Sequence, residues 1–187
     1  MQNHQNGQQK FLKKFLTPFA FILFFNLAQA RHPEDPMYVE YADNITKKFC
    51  ADVAKKHLIF YYGGGGGFLK NVERIFLDFS AVKNLNIEEA RSLVLDCTED
   101  LLQRINNDKK IKPYLEHYPF TEKGLRLSIS FDTPDQKRVS SKYVAHVLAT
   151  NGSIYYSSYD HKKQQLVDLY EEPYQEALKL ANAPEIK

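Results

Sequence analysis

The spacing of hydrophobic and polar positions predicts two long helices in the first half of the chain. Between residues 37 and 57, apolar residues recur every three or four positions, as they do on one buried face of a helix. Residues 87–106 show the same spacing, and Asn86 with Glu89 three positions later matches a capping box. Residues 57–62, between these helices, fit either a helix end or a short strand.

In the second half of the chain, apolar and polar residues alternate instead. This alternation predicts strands at 125–131, 142–149, 153–159 and 165–170, which join an earlier strand at 72–79. Asn151-Gly152 is typical of a type I′ hairpin turn, and Pro173 suits the first turn of a closing helix. We therefore predict a single α+β domain over residues 37–187, with an antiparallel sheet of four to five strands and helices packed on one face.

Residues 1–30 have the composition of a secretory signal peptide. Lysines precede an apolar run at 15–25, Ala28-Gln29-Ala30 follows it, and the segment contains no acidic residue. The apolar run is shorter than the roughly 20 residues that span a bilayer. We predict cleavage after Ala30, an extended lead-in at 31–36, and export to the periplasm or the extracellular space. An uncleaved membrane anchor is the alternative.

Removal of this leader changes the charge of the protein. Subtracting its three lysines from the 25 basic residues leaves 22 basic residues against 23 acidic ones. A nucleic-acid-binding protein needs a concentrated basic face, so we expect no nucleic-acid partner. No later segment is apolar over a sufficient length to predict a membrane span.

Cys50 and Cys97 are the two cysteines of the chain, and both fall within predicted helices. An even number of cysteines in an exported protein suggests a disulfide, so a Cys50–Cys97 bridge is one expectation. Two buried free thiols that pack as small apolar groups are the other. The sequence leaves both open.

Five consecutive glycines, Gly63, Gly64, Gly65, Gly66 and Gly67, form the one low-complexity segment. A phosphate-binding loop would require Gly-Lys-Ser or Gly-Lys-Thr at the start of a helix, and residues 68–70 lack that pattern. Ordering glycine is costly in backbone entropy, which favours a flexible loop. Close backbone packing and an anion site are the alternatives.

Candidate chemistry is sparse, since the chain contains no recognisable nucleophile or zinc-ligand motif. We therefore expect no metal and no cofactor. His117 and Glu116 lie in an aromatic, proline-bearing segment with Tyr114 and Tyr118. Such a segment is able to line a groove in which Glu116 tunes the imidazole, although loop aromatics more often anchor the edge of a core.

Tyrosines and serines on the predicted hairpin suggest a contact surface. Tyr156 and Ser158 share one side of their strand, and an exposed tyrosine–serine face would suit contact with a protein or a glycan. The β-propensity of tyrosine explains the same residues without a partner.

Together these features favour an exported, non-enzymatic binding or envelope-associated protein. A small exported hydrolase, with a site assembled from distant residues around His117, is one alternative. A secreted effector is another, and the sequence does not separate it from the first hypothesis.

We expect the protein recovered from its native cell to lack residues 1–30, because the small residues before the cleavage point fit a signal peptidase site. Intact mass spectrometry of the exported and cytoplasmic fractions measures this. A full-length mass in the cytoplasmic fraction would contradict export. Spectra taken before and after reduction also report on the disulfide, because a bridge removes two hydrogens.

Overall fold

Three helices and six strands follow one another in residues 36–183, which are the residues that the computed structural model describes. The helices are α1 (Met37–His57), α2 (Ile87–Asn107) and α3 (Tyr174–Ala181). The strands are β1 (Ile59–Gly67), β2 (Arg74–Val82), β3 (Leu125–Asp132), β4 (His146–Thr150), β5 (Ser153–Asp160) and β6 (Gln165–Pro173). This composition confirms the α+β class and a single domain. The predicted signal peptide and residues 31–35 of the lead-in lie outside the described residues.

The six strands form one sheet in the order β1-β2-β3-β4-β5-β6. All neighbours are antiparallel except β2 and β3, which run parallel. The prediction of a purely antiparallel sheet of four to five strands is therefore wrong in strand number and in one pairing. The parallel pairing arises because α2 connects β2 to β3 as a crossover. It returns the chain to the end of the sheet at which β2 begins, so β3 runs in the same direction as β2.

The helices bury their apolar stripes against the sheet and against each other. Helix α1 contacts α2 and β1, α2 also contacts β3, β4 and α3, and α3 contacts β5 and β6. The predicted stripe of α1 is confirmed, and Phe49 at its centre meets Phe79 of β2 edge to face, with ring centroids 6.1 Å apart. In the described part of the chain, no helix has the length and apolar composition needed to cross a bilayer.

The predicted capping box at Asn86 and the predicted hairpin turn at Asn151-Gly152 are both confirmed. The Asn86 side chain accepts a hydrogen bond from the Glu89 backbone N–H, and the Glu89 carboxylate accepts one from the Asn86 N–H, each at 2.9 Å. At the turn between β4 and β5, Asn151 and Gly152 have φ angles of 51° and 81°. These positive angles are the ones that a type I′ turn requires.

A buried ion pair joins α2 to the last two strands. Arg91 Nε donates to Glu172 Oε1 at 2.7 Å, and the Tyr156 hydroxyl donates to the same oxygen at 2.6 Å. Glu172 is only 2% exposed, and its Oε2 has no hydrogen-bond partner among the described residues. Removing one partner of such a pair leaves a buried charge, at a cost of about 3–5 kcal/mol. The pair therefore ties β6 to the rest of the domain.

The pentaglycine segment forms the second half of β1, not the predicted loop. Its residues pair with β2 from Asp78 to Arg74, after a register shift at Tyr62. A Cβ at Gly64 would lie 2.5 Å from the Phe76 carbonyl oxygen, and one at Gly66 would meet the Arg74 carbonyl oxygen. Close backbone packing, one of the alternatives left open by the sequence, explains these two glycines.

Cys50 and Cys97 are free thiols in the structure, so the expected disulfide is not formed. Cys97 on α2 lies in the core, and Cys50 on α1 is partly buried and packs against the core. Burial raises the pKa of each thiol to about 12, because the thiolate is poorly solvated there. Both side chains pack as small apolar groups, which is the second of the two expectations.

We expect Gly64→Ala to lower the free energy of unfolding by about 1–3 kcal/mol, because its methyl group would displace the backbone of β2. Urea denaturation of the purified protein measures the change. Gly65→Ala is the matched control: a Cβ there meets nothing within 4 Å, so its effect should stay within about 1 kcal/mol. Equal losses in the two variants would contradict the close packing.

Candidate functional site

The predicted aromatic loop is anchored on α1 by Tyr114, and its polar residues are exposed. Tyr114 packs against Tyr38 and Tyr41, with ring centroids 5.5 and 6.1 Å away. Glu116, His117 and Tyr118 are exposed, and Lys112 Nζ lies 3.8 Å from the centroid of the Tyr118 ring. No hydrogen bond joins His117 to a carboxylate or hydroxyl among the described residues.

The expected exposed face of Tyr156 and Ser158 is also wrong. Tyr156 is fully buried and Ser158 is 7% exposed. The alternation along β5 was correct, but the side that carries Tyr156 faces the core, where Tyr156 pairs with Val147 of β4. Ser158 follows on the same side two positions later. The other side of β5 therefore carries the accessible Tyr155.

The opposite side of the central strands forms a polar surface, which we call the polar face. Its positions alternate with the buried ones and lie side by side in the strand register. The residues of the polar face are Phe76, Asp78 and Ser80 of β2, Arg126, Ser128 and Ser130 of β3, His146, Leu148 and Thr150 of β4, and Tyr155 and Ser157 of β5.

A hydrogen-bonded carboxylate lies on β2, at one side of the polar face. The Ser128 hydroxyl donates to Asp78 Oδ1 at 2.5 Å, and Arg126 Nη2 lies 3.2 Å from the same oxygen. The Arg126 guanidinium also lies 6.0 Å from the centroid of the Phe76 ring. Because their own ion pair and the two neighbours Ser128 and Phe76 hold these groups, Asp78 and Arg126 are preorganised for a ligand, which reduces the entropy lost on binding.

The glycines of β1 leave this carboxylate open on one side. Gly63 stands opposite Asp78 and Gly65 opposite Phe76 in the strand register. A Cβ at either glycine would meet nothing within 4 Å. At this edge of the polar face, β1 therefore presents backbone without side chains. A ligand can reach Asp78 and Arg126 from that side.

His146 lies on the same face, between Ser130 of β3 and Ser157 of β5. Burial lowers the pKa of His146, the charges of Arg138 and Arg126 lower it further, and Asp78 opposes them. No side-chain hydrogen bond joins Ser130, His146 or Ser157 to another residue of the described range. Ser157 is buried at 7% exposed, whereas Ser130 and His146 are partly exposed, so the Ser130 hydroxyl and the imidazole are the accessible groups here.

Arg138 supplies the second cation near this histidine. It follows β3 on the turn that leads to β4, and its Nη1 lies 3.2 Å from Asp132 Oδ1. Its side chain is 40% exposed, and its described hydrogen bond runs from Nη1 to Asp132 Oδ1. The polar face and the turn beside it thus combine two arginines, the carboxylates of Asp78 and Asp132 that pair with them, one histidine and several hydroxyls, which is an arrangement for binding polar ligands.

One cleft of about 410 Å³ lies elsewhere, at the junction of α2, β6 and the segment before β4. It is lined by Asn86, Ile87, Glu88, Ser141, Lys142, Val144 and Leu169. In the part of the chain that the structure describes, no group of three His, Cys, Asp or Glu side chains is placed to hold a metal ion. The charged residues that line the cleft are Glu88 and Lys142, whereas the polar face carries a hydrogen-bonded ion pair, so the polar face is the stronger candidate for binding a polar ligand.

Comparison of the chain with protein-family models, curated proteins and solved structures finds no match. Asp78, Arg126 and His146 were not among the site residues predicted from the sequence. The alternation of Arg126, Ser128 and Ser130 with apolar residues was visible in the sequence. Their approach to Asp78 was not, because it depends on the pairing of β3 with a strand 48 residues earlier.

We expect His146 to titrate with a pKa below its ordinary value of about 6.5, because burial and two arginines disfavour the imidazolium ion. Arg126→Gln or Arg138→Gln should raise this pKa, and Asp78→Asn should lower it further. Histidine NMR signals followed against pH measure each shift.

The control is Lys179→Gln on α3, which removes a positive charge that does not act on His146. It should leave the titration unchanged. An unperturbed pKa in the wild-type protein, or no response to the arginine substitutions, would contradict the charge arrangement of the polar face.

Proposed function

We propose that this protein is exported, loses residues 1–30, and acts as a non-enzymatic binding protein of the cell envelope or extracellular space. In this proposal the three helices all pack on the buried side of the sheet. The polar face then remains free and engages the ligand. The partner is a protein or a glycan outside the cytoplasm.

The observation that carries the proposal is the fixed Asp78–Ser128–Arg126 network on an accessible part of the sheet. Its ion pair is 42% and 29% exposed, so it contributes little to stability. A polar network that adds little to the fold is better explained by binding. Gly63 and Gly65 have no side chains that would block a ligand from reaching this network.

A catalytic role has less support. His117 is exposed and lacks a described partner, so it no longer supports a hydrolase site around it. His146 has neighbouring serines, but no described hydrogen bond links the imidazole to a nucleophile or to an orienting carboxylate. A secreted effector would use the same face for a partner on a host cell, and it differs from the first proposal only in destination.

Co-sedimentation of the exported protein with envelope fragments of its native cell tests this function. We expect wild-type protein to be retained, and Arg126→Ala to reduce retention at least about tenfold, since a charged hydrogen bond contributes roughly 1.5–3 kcal/mol. Unfolding midpoints of both proteins establish that the variant is folded.

Tyr118→Ala is the matched control, because it removes an exposed aromatic side chain of the other candidate surface. It should sediment like the wild type. Loss of retention in this variant alone would move the contact to the aromatic loop. Failure of the wild-type protein to sediment would contradict an envelope ligand.

A further inference from the structure

Strand β6 forms one outer edge of the sheet, yet its composition is that of an internal strand. It pairs with β5 on one side, and no described strand pairs with its other side. Edge strands of soluble proteins usually carry charges or proline, which prevent pairing with another chain. Residues 165–170 instead hold four apolar or aromatic side chains and a single charge, that of Asp168. The outer backbone groups of β6 are therefore open to a further strand.

The apolar side chains of β6 are exposed on both sides of the sheet. Leu166 pairs with Tyr159 on the side of the polar face, and Val167 pairs with Ser158 on the opposite side. Leu169 and Tyr170 follow, and the exposed fractions of the four side chains run from 39% to 45%. Apolar residues clustered in this way on one strand mark a contact surface.

The charges at the two ends of β6 have opposite signs. Lys162 and Lys163 lie on the turn before the strand, and Glu171 lies near its end. All three side chains are exposed, and none has an ion pair or a side-chain hydrogen bond among the described residues. Their charges therefore remain available to a partner.

A second copy of the same strand matches this charge pattern. When two identical strands pair antiparallel, the start of each strand lies beside the end of the other. Lys162 and Lys163 of one copy then lie beside Glu171 of the other, and symmetry repeats the contact. The midpoint of this segment falls at Leu166 and Val167, so apolar side chains meet at the twofold axis. Such twofold contacts are the commonest form of homodimer.

The other outer edge of the sheet fits a second copy less well. Strand β1 has Lys55 and Lys56 before it and Lys70 after it, and its second half is glycine, which has no side chain to bury. Antiparallel pairing of two β1 strands would bring lysines together at both ends, which is unfavourable. Pairing of β1 with β6 would match charges at one end and oppose like charges at the other. The charge pattern therefore favours pairing of β6 with β6.

From the unpaired edge of β6, its exposed apolar side chains and its matching charges, we propose that this protein forms a homodimer by antiparallel β6–β6 pairing. The six strands of each copy then join into one continuous sheet, about a twofold axis perpendicular to it. This axis keeps both polar faces on the same side, so an extended ligand would meet two faces at once. That consequence rests on the proposed binding function, whereas the dimer itself does not.

Sedimentation velocity of the protein recovered from its native cell, over about a hundredfold range of concentration, tests the dimer. One pair of edge strands buries less area than a standard interface, so we expect a dissociation constant of about 1–100 µM. Hydrogen exchange of amides in residues 165–171 should slow as the concentration rises, because strand pairing protects backbone N–H groups.

Two charge-reversal variants test the matched ends of the strand. Glu171→Lys makes both ends basic, and Lys162→Glu combined with Lys163→Glu makes both ends acidic. We expect each variant to self-associate at least about tenfold more weakly, because repulsion replaces attraction at both symmetric contacts. An equal mixture of the two variants should restore the dimer, since basic ends then meet acidic ends. Mixing would not reverse a folding defect.

Glu116→Lys is the matched control, because it makes the same change of charge at an exposed residue of the aromatic loop. It should dimerise like the wild type. A protein that stays monomeric up to about 1 mM would overturn the inference. So would protection of β1 amides in place of those of β6, equal weakening by Glu116→Lys, or no dimer on mixing the two variants. None of these readouts involves the envelope ligand, so the dimer and the proposed function fail independently.

Discussion

The burial of α2 against the middle of the sheet is the constraint on which the rest of this structure depends. Residues such as Val94, Leu101 and Ile105 along one side of the helix are almost fully excluded from water. Burying one such side chain contributes roughly 1.5–3 kcal/mol. Because α2 joins β2 to β3 and packs on β3 and β4, its position determines which strands become neighbours. The Arg91–Glu172 ion pair also fixes the position of β6 relative to α2.

The parallel pairing of β2 and β3 also creates the candidate binding surface. It sets Asp78 beside Ser128 and Phe76 beside Arg126 in the register. With β2 and β3 one residue out of step, polar and apolar positions would exchange sides, and the core could not form. The hydrophobic side thus fixes the register, and the register in turn fixes the spacing of the polar groups. The same alternation that builds the core therefore arranges the Asp78–Arg126–Ser128 network.

Errors in the sequence analysis occurred where local preference and tertiary context disagree. Glycine disfavours strands, so the pentaglycine segment was predicted as a loop. In the fold, close approach to β2 demands Gly64 and Gly66, and the backbone pairing of β1 orders them. Tyr156 was placed on the exposed side because alternation alone does not say which side is buried. Its hydroxyl finds Glu172 in the interior, which removes the cost of burying a polar group.

The sequence by itself determined the helices, the capping box at Asn86, the turn at Asn151-Gly152 and most of the strands. Each of these depends on interactions within a few residues, so its signal lies in the local pattern. Only the tertiary structure decided the parallel strand pair, the sixth strand and the grouping of Asp78, Arg126 and His146. These features join residues far apart in the chain, and the free energy that selects them comes from burying the shared core.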